Sequence, residues 1–396
     1  MTRTIAIALL MGCVTFSMAY ADNWQPLTGA DMLQALVAGS TAEIDLRPGV
    51  TAIGKYNADG TAEIEAWNET FFRTWEVKGD DQVCYSDVDT NCYSFEQNLD
   101  KPTEFRARNV KTGELVVFRV ADAEGRIIPM GPTSDNEGGL GAPDASEIAA
   151  ALSNPNTNLG SMNFQFDYIA YDGDLPNASS QSALRATFQP SLPYKLSDTT
   201  NLFVRPAIPV IIQQDVPNPS GGYDSEGIDL GDMGFDALVA KTIPSLGLVV
   251  GGGIVGTVPT ATEDSLGLDQ WLVGPEVVGA MVRKWGVLGV LVTHQWDVAG
   301  EDDYNTSITG GQYFYAFNLQ DGWQINGSPV YSYNHKADSD NKLTLPVALG
   351  VSKTAIINGR PWKFGVQYWY YVESPDLYGP NWQIRFTISP VVKLPW

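Results

Sequence analysis

The sequence predicts an all-β chain: an antiparallel transmembrane β-barrel of about twelve strands, preceded by a small β-rich domain. Three observations predict it. First, residues 382–396 alternate. Trp382, Ile384, Phe386, Ile388, Pro390, Val392, Leu394 and Trp396 share one parity, Gln383, Arg385, Thr387, Ser389 and Lys393 the other, with Val391 the exception. A period of two gives a strand one oily face and one wet face. A strand this long, ending on an aromatic, suits a barrel that is apolar outside and polar inside. Second, long alternating segments recur from Ser161 onward. Third, the connections between them alternate in length.

The elements follow in order. Arg3, an apolar stretch over 5–16 and Ala19-Tyr20-Ala21 read as a signal peptide over 1–21, so the mature chain is expected to start at Asp22. A rival lipobox-like reading of Leu10-Met11-Gly12-Cys13 would leave Cys13 lipidated. Residues 22–130 read as the small β domain, placed in the periplasm. Thr28 is expected to cap a helix over 29–38, with Gly39 as its stop. Eight short strands follow, at 42–46, 52–56, 62–67, 71–77, 83–85, 92–95, 105–109 and 114–120. Cys84 and Cys92 flank a polar turn, which in an oxidising compartment reads as a disulfide stapling a hairpin. A metal site there is disfavoured, because no other Cys or His lies nearby. Residues 131–158 form a Gly/Pro-rich linker and a short helix over 144–152, capped by Asp144 or Ser146.

The barrel is expected over 159–396. Its strands are read at 161–171, 182–194, 201–212, 228–240, 246–258, 270–282, 287–298, 312–319, 323–334, 342–354, 361–372 and 382–396. Connections after odd strands are long and acidic or Gly/Pro-rich; those after even strands are tight. Long loops outside and short turns on the periplasmic side are the rule for bacterial barrels. An even strand count puts both barrel ends in the periplasm, so the expected location is the outer membrane with the first domain beneath it. No apolar run is long enough for a helical span.

The chain carries 46 acidic and 24 basic residues, a formal charge of −22, which argues against a nucleic-acid partner. Expected partners are outer-membrane lipid and lipopolysaccharide; the acidic loops at 263–264 and 301–303 could bridge to the latter through divalent cations, but they lack the spacing of a calcium loop and read rather as solvated tips. The barrel-assembly machinery is expected to read the last strand, ending at Trp396. No cofactor and no metal centre are expected.

A charge facing lipid at mid-membrane costs about 2–4 kcal/mol, so the alternation assigns Arg185, Arg205, Asp232, Asp236, Glu276, Lys363 and Arg385 to the lumen. They read either as internal salt bridges filling a closed barrel or as a solute path. Thirteen aromatics, among them Trp271, Trp285, Trp296, Tyr313, Tyr315, Trp323 and Trp396, read as interfacial girdles. Trp369 and Tyr371 point inward by parity, Trp369 as part of the path.

Six stretches then line up with a known family: LSNPNTNLGSMNFQFDY at 152–168, RPAIPVI at 205–211, LGDM at 230–233, PTATEDSLGLDQWLVGPE at 259–276, HQWDVAGEDD at 294–303 and INGRPWKFGVQYWYYVESPDLYGPNWQIRF at 357–386. Over 148–396 the chain resembles the outer-membrane β-barrel family called MetA-pathway of phenol degradation, whose members are often labelled transporters and sometimes mislabelled neuromedin U. The resemblance implies a barrel that takes up hydrophobic or aromatic compounds, and it brings no catalytic residues. The first domain resembles small periplasmic lipocalin-like domains. A channel or transporter for small molecules is therefore expected, with a closed barrel anchoring a binding domain as the alternative. An outer-membrane hydrolase ranks last, since the chain has only His294 and His335 to serve as base.

Overall fold

The computed structural model describes residues 23–47, 50–102, 104–113, 115–120, 126–129, 143–300 and 304–396. The expected leader with Cys13, most of the linker and the acidic stretch 301–303 lie outside the described residues.

The first unit begins with β1 (Trp24–Pro26) and helix α1 (Ala30–Val37). Strands β2 (Thr41–Arg47), β3 (Val50–Tyr56), β4 (Thr61–Ala66), β5 (Glu69–Lys78), β6 (Gln82–Ser86), β7 (Thr90–Asn98), β8 (Glu104–Asn109), β9 (Leu115–Val120) and β10 (Arg126–Pro129) follow. From β2 to β10 each strand pairs with the next, antiparallel, and β10 then pairs with β2. Nine strands in an up-and-down meander leave the last pointing the same way as the first, so the closing pair is parallel. The result is a small closed cylinder, with β1 laid on β7 beyond the end of β6. Alternation sets its sides. On β5, Phe71, Arg73 and Trp75 are buried while Phe72, Thr74 and Glu76 are exposed. The interior holds Ile64, Trp75, Val83 and Phe95, and Leu33 and Val37 of α1 join that core. Gly29, at φ 112°, takes the N-cap of α1 that the sequence assigned to Thr28; a left-handed φ suits glycine, which has no Cβ to clash. Cys84 and Cys92 are a direct cross-strand pair of β6 and β7 and are disulfide-bonded.

Helix α2 (Ala145–Ser153) follows. Asp144 accepts from the Ser146 and Glu147 amides, and Glu147 returns the contact to the Asp144 amide, a full capping box.

The second unit is a closed twelve-strand antiparallel barrel. Its strands are β11 (Gly160–Asp172), β12 (Ser182–Ser197), β13 (Thr200–Pro217), β16 (Met233–Ile243), β17 (Leu248–Val258), β18 (Gln270–Arg283), β19 (Gly286–Gly300), β20 (Ser307–Asn318), the broken pair β21 (Trp323–Gly327) and β22 (Val330–Asn334), β23 (Leu343–Ile357), β24 (Arg360–Glu373) and β25 (Gly379–Val392). Two loop strands, β14 (Tyr223–Glu226) and β15 (Asp229–Leu230), fold onto β13. β25 closes on β11 through eleven paired residues, from Gly160–Val392 to Asp172–Gly379. The turns after β12, β16, β18, β20 and β23 are short and those after the other strands longer, so the cylinder has a short-turn end and a long-loop end. β11 starts and β25 finishes at the short-turn end.

Sidedness is opposite to that of the small cylinder. Phe164, Phe166, Tyr168, Val250, Ile254, Val277, Leu288, Val290, Val347, Leu349, Phe364 and Phe386 are exposed on the outside. Asp167, Asp236, Glu276, Gln324, Ser352 and Gln383 are buried.

Three expectations are corrected. The fourth strand starts at Met233 rather than at 228, because Asp229–Leu230 pairs separately with β13. The ninth strand is two pieces, interrupted at Ser328-Pro329. The twelfth ends at Val392: Leu394 turns into the core against Gly160, and Trp396 stacks on Tyr194 with ring centroids 4.3 Å apart.

Candidate functional site

The lumen is closed at its short-turn end. Gln324 Nε2 donates to the Ala149 carbonyl at 3.1 Å and to Ser153 Oγ at 2.9 Å, holding α2 across the inside of the barrel. The other end of the helix reaches the small cylinder, where Arg73 Nη2 donates to Glu147 Oε2 at 2.6 Å with both side chains almost fully buried. Asp89 accepts from Ser146 Oγ and from the Asp321 amide. Ile148, Leu159 and Val391 share one apolar cluster with the small cylinder's interior. Burial outweighs the nearby Arg73 and pushes the Glu147 carboxyl up to about 7; buried Tyr56, beside the pair, is pushed up to about 12.

Above this plug lies a cavity of about 320 Å³, floored by Leu152, Ser153, Asn154, Pro155 and Thr157. One wall is apolar: Phe203, Leu238, Val278, Val287, Leu291, Phe314 and Ala316. The other carries amides and hydroxyls, including Asn163, Gln165, Gln189, Asn326, Ser352, Gln367, Thr387 and Ser389. Burial of that polar wall is tolerated because its groups satisfy one another: Gln367 Nε2 donates to Asn326 Oδ1, and Asn326 Nδ2 donates to Ser352 Oγ.

The charges assigned to the lumen fall into separate groups. Arg205 and Asp236 are in register on β13 and β16, 2.8 Å apart, and Glu276 lies 3.7 Å from the same guanidinium. Asp167 on β11 sits in register with both Arg185 on β12 and Arg385 on β25. Arg385 grips it with two hydrogen bonds of 2.7 and 2.8 Å, while its guanidinium lies 4.4 Å over the buried Trp369 ring. Arg185 instead donates to Gln214 at 3.3 Å. Lys363 borders the cavity near Ser153. Asp232 is apart from all of these. It precedes β16, and its carboxylate accepts the amides of Thr260, Ala261 and Leu268, organising a loop at the long-loop end.

The wall itself has a breach. β21 pairs with β23 as far as Asn326–Gly350, and β22 resumes at Ser332–Thr344 in the same register. Residues 327–331 and 345–349 between them form no ladder, a gap of about 17 Å at 3.4 Å per residue. Side chains satisfy the freed backbone. The Ser328 amide donates to Gln367 Oε1, its carbonyl accepts from Gln312 Nε2, and Tyr313 and Tyr315 donate to the Pro346 and Ala348 carbonyls at 2.5 and 2.7 Å. A Cβ at Gly327 would sit 2.6 Å from the Tyr315 ring, so glycine makes room for it. Tyr313 and Tyr315, read from sequence as girdle residues, are the stoppers of this gap, and Tyr315 also lines the cavity behind it. Pro329, which cannot donate to a ladder, stands at the break, but prolines also stand inside unbroken strands such as β12, β13 and β18, so it did not single the break out. The apolar lumen wall was signalled by the run Leu288-Gly289-Val290-Leu291-Val292, apolar on both parities.

His294 and His335, weighed as bases, both meet Thr309 Oγ1, at 2.7 and 2.8 Å.

No family model and no curated protein matches the chain. Solved structures do. An outer membrane channel from Pseudomonas putida F1 is 14% identical, covering 59% of this chain and 96% of its own, with a TM-score of 0.45. The outer membrane channel DcaP of Acinetobacter baumannii is 9% identical, covering 86% and 85%, at 0.31. The CymD monoaromatic hydrocarbon channel is 11% identical, covering 89% and 85%, at 0.19. Likeness at these levels carries no argument about function.

Proposed function

We propose that the chain is an outer-membrane channel or transporter for small hydrophobic or aromatic molecules, and that the solute leaves the lumen sideways, through the gap between β21/β22 and β23. The carrying observation is that gap, stoppered by two tyrosines and backed by a half-apolar cavity whose short-turn mouth α2 occupies. An exposed apolar belt around a closed cylinder favours lipid as its surroundings. The short-turn end then faces the periplasm, and the small domain hangs there. Lipopolysaccharide against the outer loops and assembly through the last strand belong to the same reading. A solute that prefers apolar surroundings moves from the cavity to the bilayer without crossing water.

The test is the rate of benzamide uptake into proteoliposomes in excess of that into protein-free liposomes, by a Ser328→Cys/Ala348→Cys variant, before and after bridging the two thiols with a bismaleimide; uptake denotes this excess throughout. Uptake that stops on bridging supports the lateral route; uptake unaffected by bridging refutes it. The plug favours a second reading, a closed barrel that anchors a working periplasmic domain. Absence of any benzamide uptake by well-folded wild-type protein would favour it.

A further inference from the structure

Three cations border the lumen cavity, and two of them are neutralised. Arg205 faces Asp236 and Glu276, and Arg385 faces Asp167. Lys363 differs. Among the described residues its ammonium has one hydrogen bond, a long one of 3.4 Å to Ser153 Oγ, and no carboxylate partner. An ammonium has three N–H donors, and a charge held away from bulk water calls for acceptors. The wall does not supply them: Thr354, in register with Lys363 on β23, is fully buried, and its hydroxyl has no partner. Ser389, opposite Lys363 on β25, lines the cavity beside it. Lys363 and Ser389 therefore present donors at one place on a cavity whose other wall is apolar.

We propose that Lys363 receives the carboxylate of a small amphipathic acid, an aryl or short alkyl carboxylate, whose apolar body lies against Phe203, Leu238 and Phe314. This rests on the transporter reading above, though not on its lateral exit, which an ionised carboxylate could not take into hydrocarbon, and it specifies a cargo. A carboxylate only accepts, and charge-assisted hydrogen bonds to an ammonium are the strong kind. A cavity of about 320 Å³ suits a ligand the size of benzoate.

The experiment is calorimetric titration of the purified full-length protein with benzoate and with benzamide, its uncharged isostere. Wild type is expected to prefer benzoate by about tenfold, the step a single charge-assisted contact gives. Lys363→Met is expected to bring the two ligands to parity, and Lys363→Arg to keep most of the preference. Heat-modifiable migration on gels checks that each variant is folded. A wild type without preference, or a Lys363→Met variant that retains it, overturns the proposal; a lysine that merely caps α2 would change stability and leave the ratio alone. Benzamide uptake by wild-type proteoliposomes separates the two failures. If benzamide enters and benzoate has no advantage, this inference alone falls; if neither binds nor enters, the transporter reading falls and takes the inference with it.

Discussion

The chain folds twice into a closed β-cylinder, and the two are inside out with respect to each other. In the small one Ile64 is 0% exposed and Thr74 faces water; in the large one Leu349 is 65% exposed and Gln324 is 1% exposed. Both obey the same alternation, because successive strand residues point to opposite faces. What differs is which face carries the apolar set, and that choice decides the surroundings each cylinder can tolerate. The small cylinder fills its interior with Trp75, Phe95 and Tyr85 and has the ordinary core of a water-borne domain. The large one places most of its oily residues outside and keeps a half-polar, partly empty interior that can hold a guest.

Substitutions break this comparison in graded steps. Ile64→Asp puts an ionised group into the small core, a cost of several kcal/mol. The small domain should lose protease resistance while the large barrel still migrates as a folded, heat-modifiable species. Arg73→Met removes the hydrogen-bond partner of Glu147, whose carboxyl then stays protonated; the lost contact should cost about 1–3 kcal/mol in the docking of α2, seen as faster hydrogen exchange over α2. Val277→Arg on the outer belt should cost about 2–4 kcal/mol in lipid, measured by denaturant titration in liposomes, whereas Thr74→Arg, equally exterior on the small cylinder, should change stability by under about 0.5 kcal/mol. Reducing the Cys84–Cys92 bridge, eight residues apart, should remove about 2–3 kcal/mol from the small domain alone. A further lever is pH. Glu147 goes from 4.5 to about 7 on burial, so the folded state holds its proton where the unfolded chain has lost it. Hydrogen-exchange protection of α2 should therefore fall as pH rises from about 4.5 to about 7 and level off above that.

Much of the architecture was legible because period-two alternation is a local signal. It located all twelve barrel strands; the disulfide came from the cysteine spacing instead, and the α2 cap was narrowed only to Asp144 or Ser146. The breach was not read, because prolines also stand within unbroken strands such as β13, and the alternation on either side of Ser328 stays in phase and hides the break. Most inner charges were found one by one, Asp167 being the one left out, and their pairing depends on cross-strand register, which connects Asp167 with Arg385 across 218 positions of sequence. Asp232 was misplaced because a strand boundary drawn five residues early made a loop carboxylate look like a lumen one. Lys363 was visible as an inward charge; that it stands without a carboxylate could be known only once its neighbours were placed.

The most direct test of the inside-out relation is spin-label accessibility in liposomes, with single cysteines at Val277 and Leu349 outside the large cylinder, at Gln165 inside it, and at Thr74 outside the small one. The account predicts oxygen-accessible, nickel-chelate-protected labels at 277 and 349, and chelate-accessible labels at 165 and 74. Chelate access at 277 and 349 equal to that at 74 would contradict it, because the outer belt would then face water.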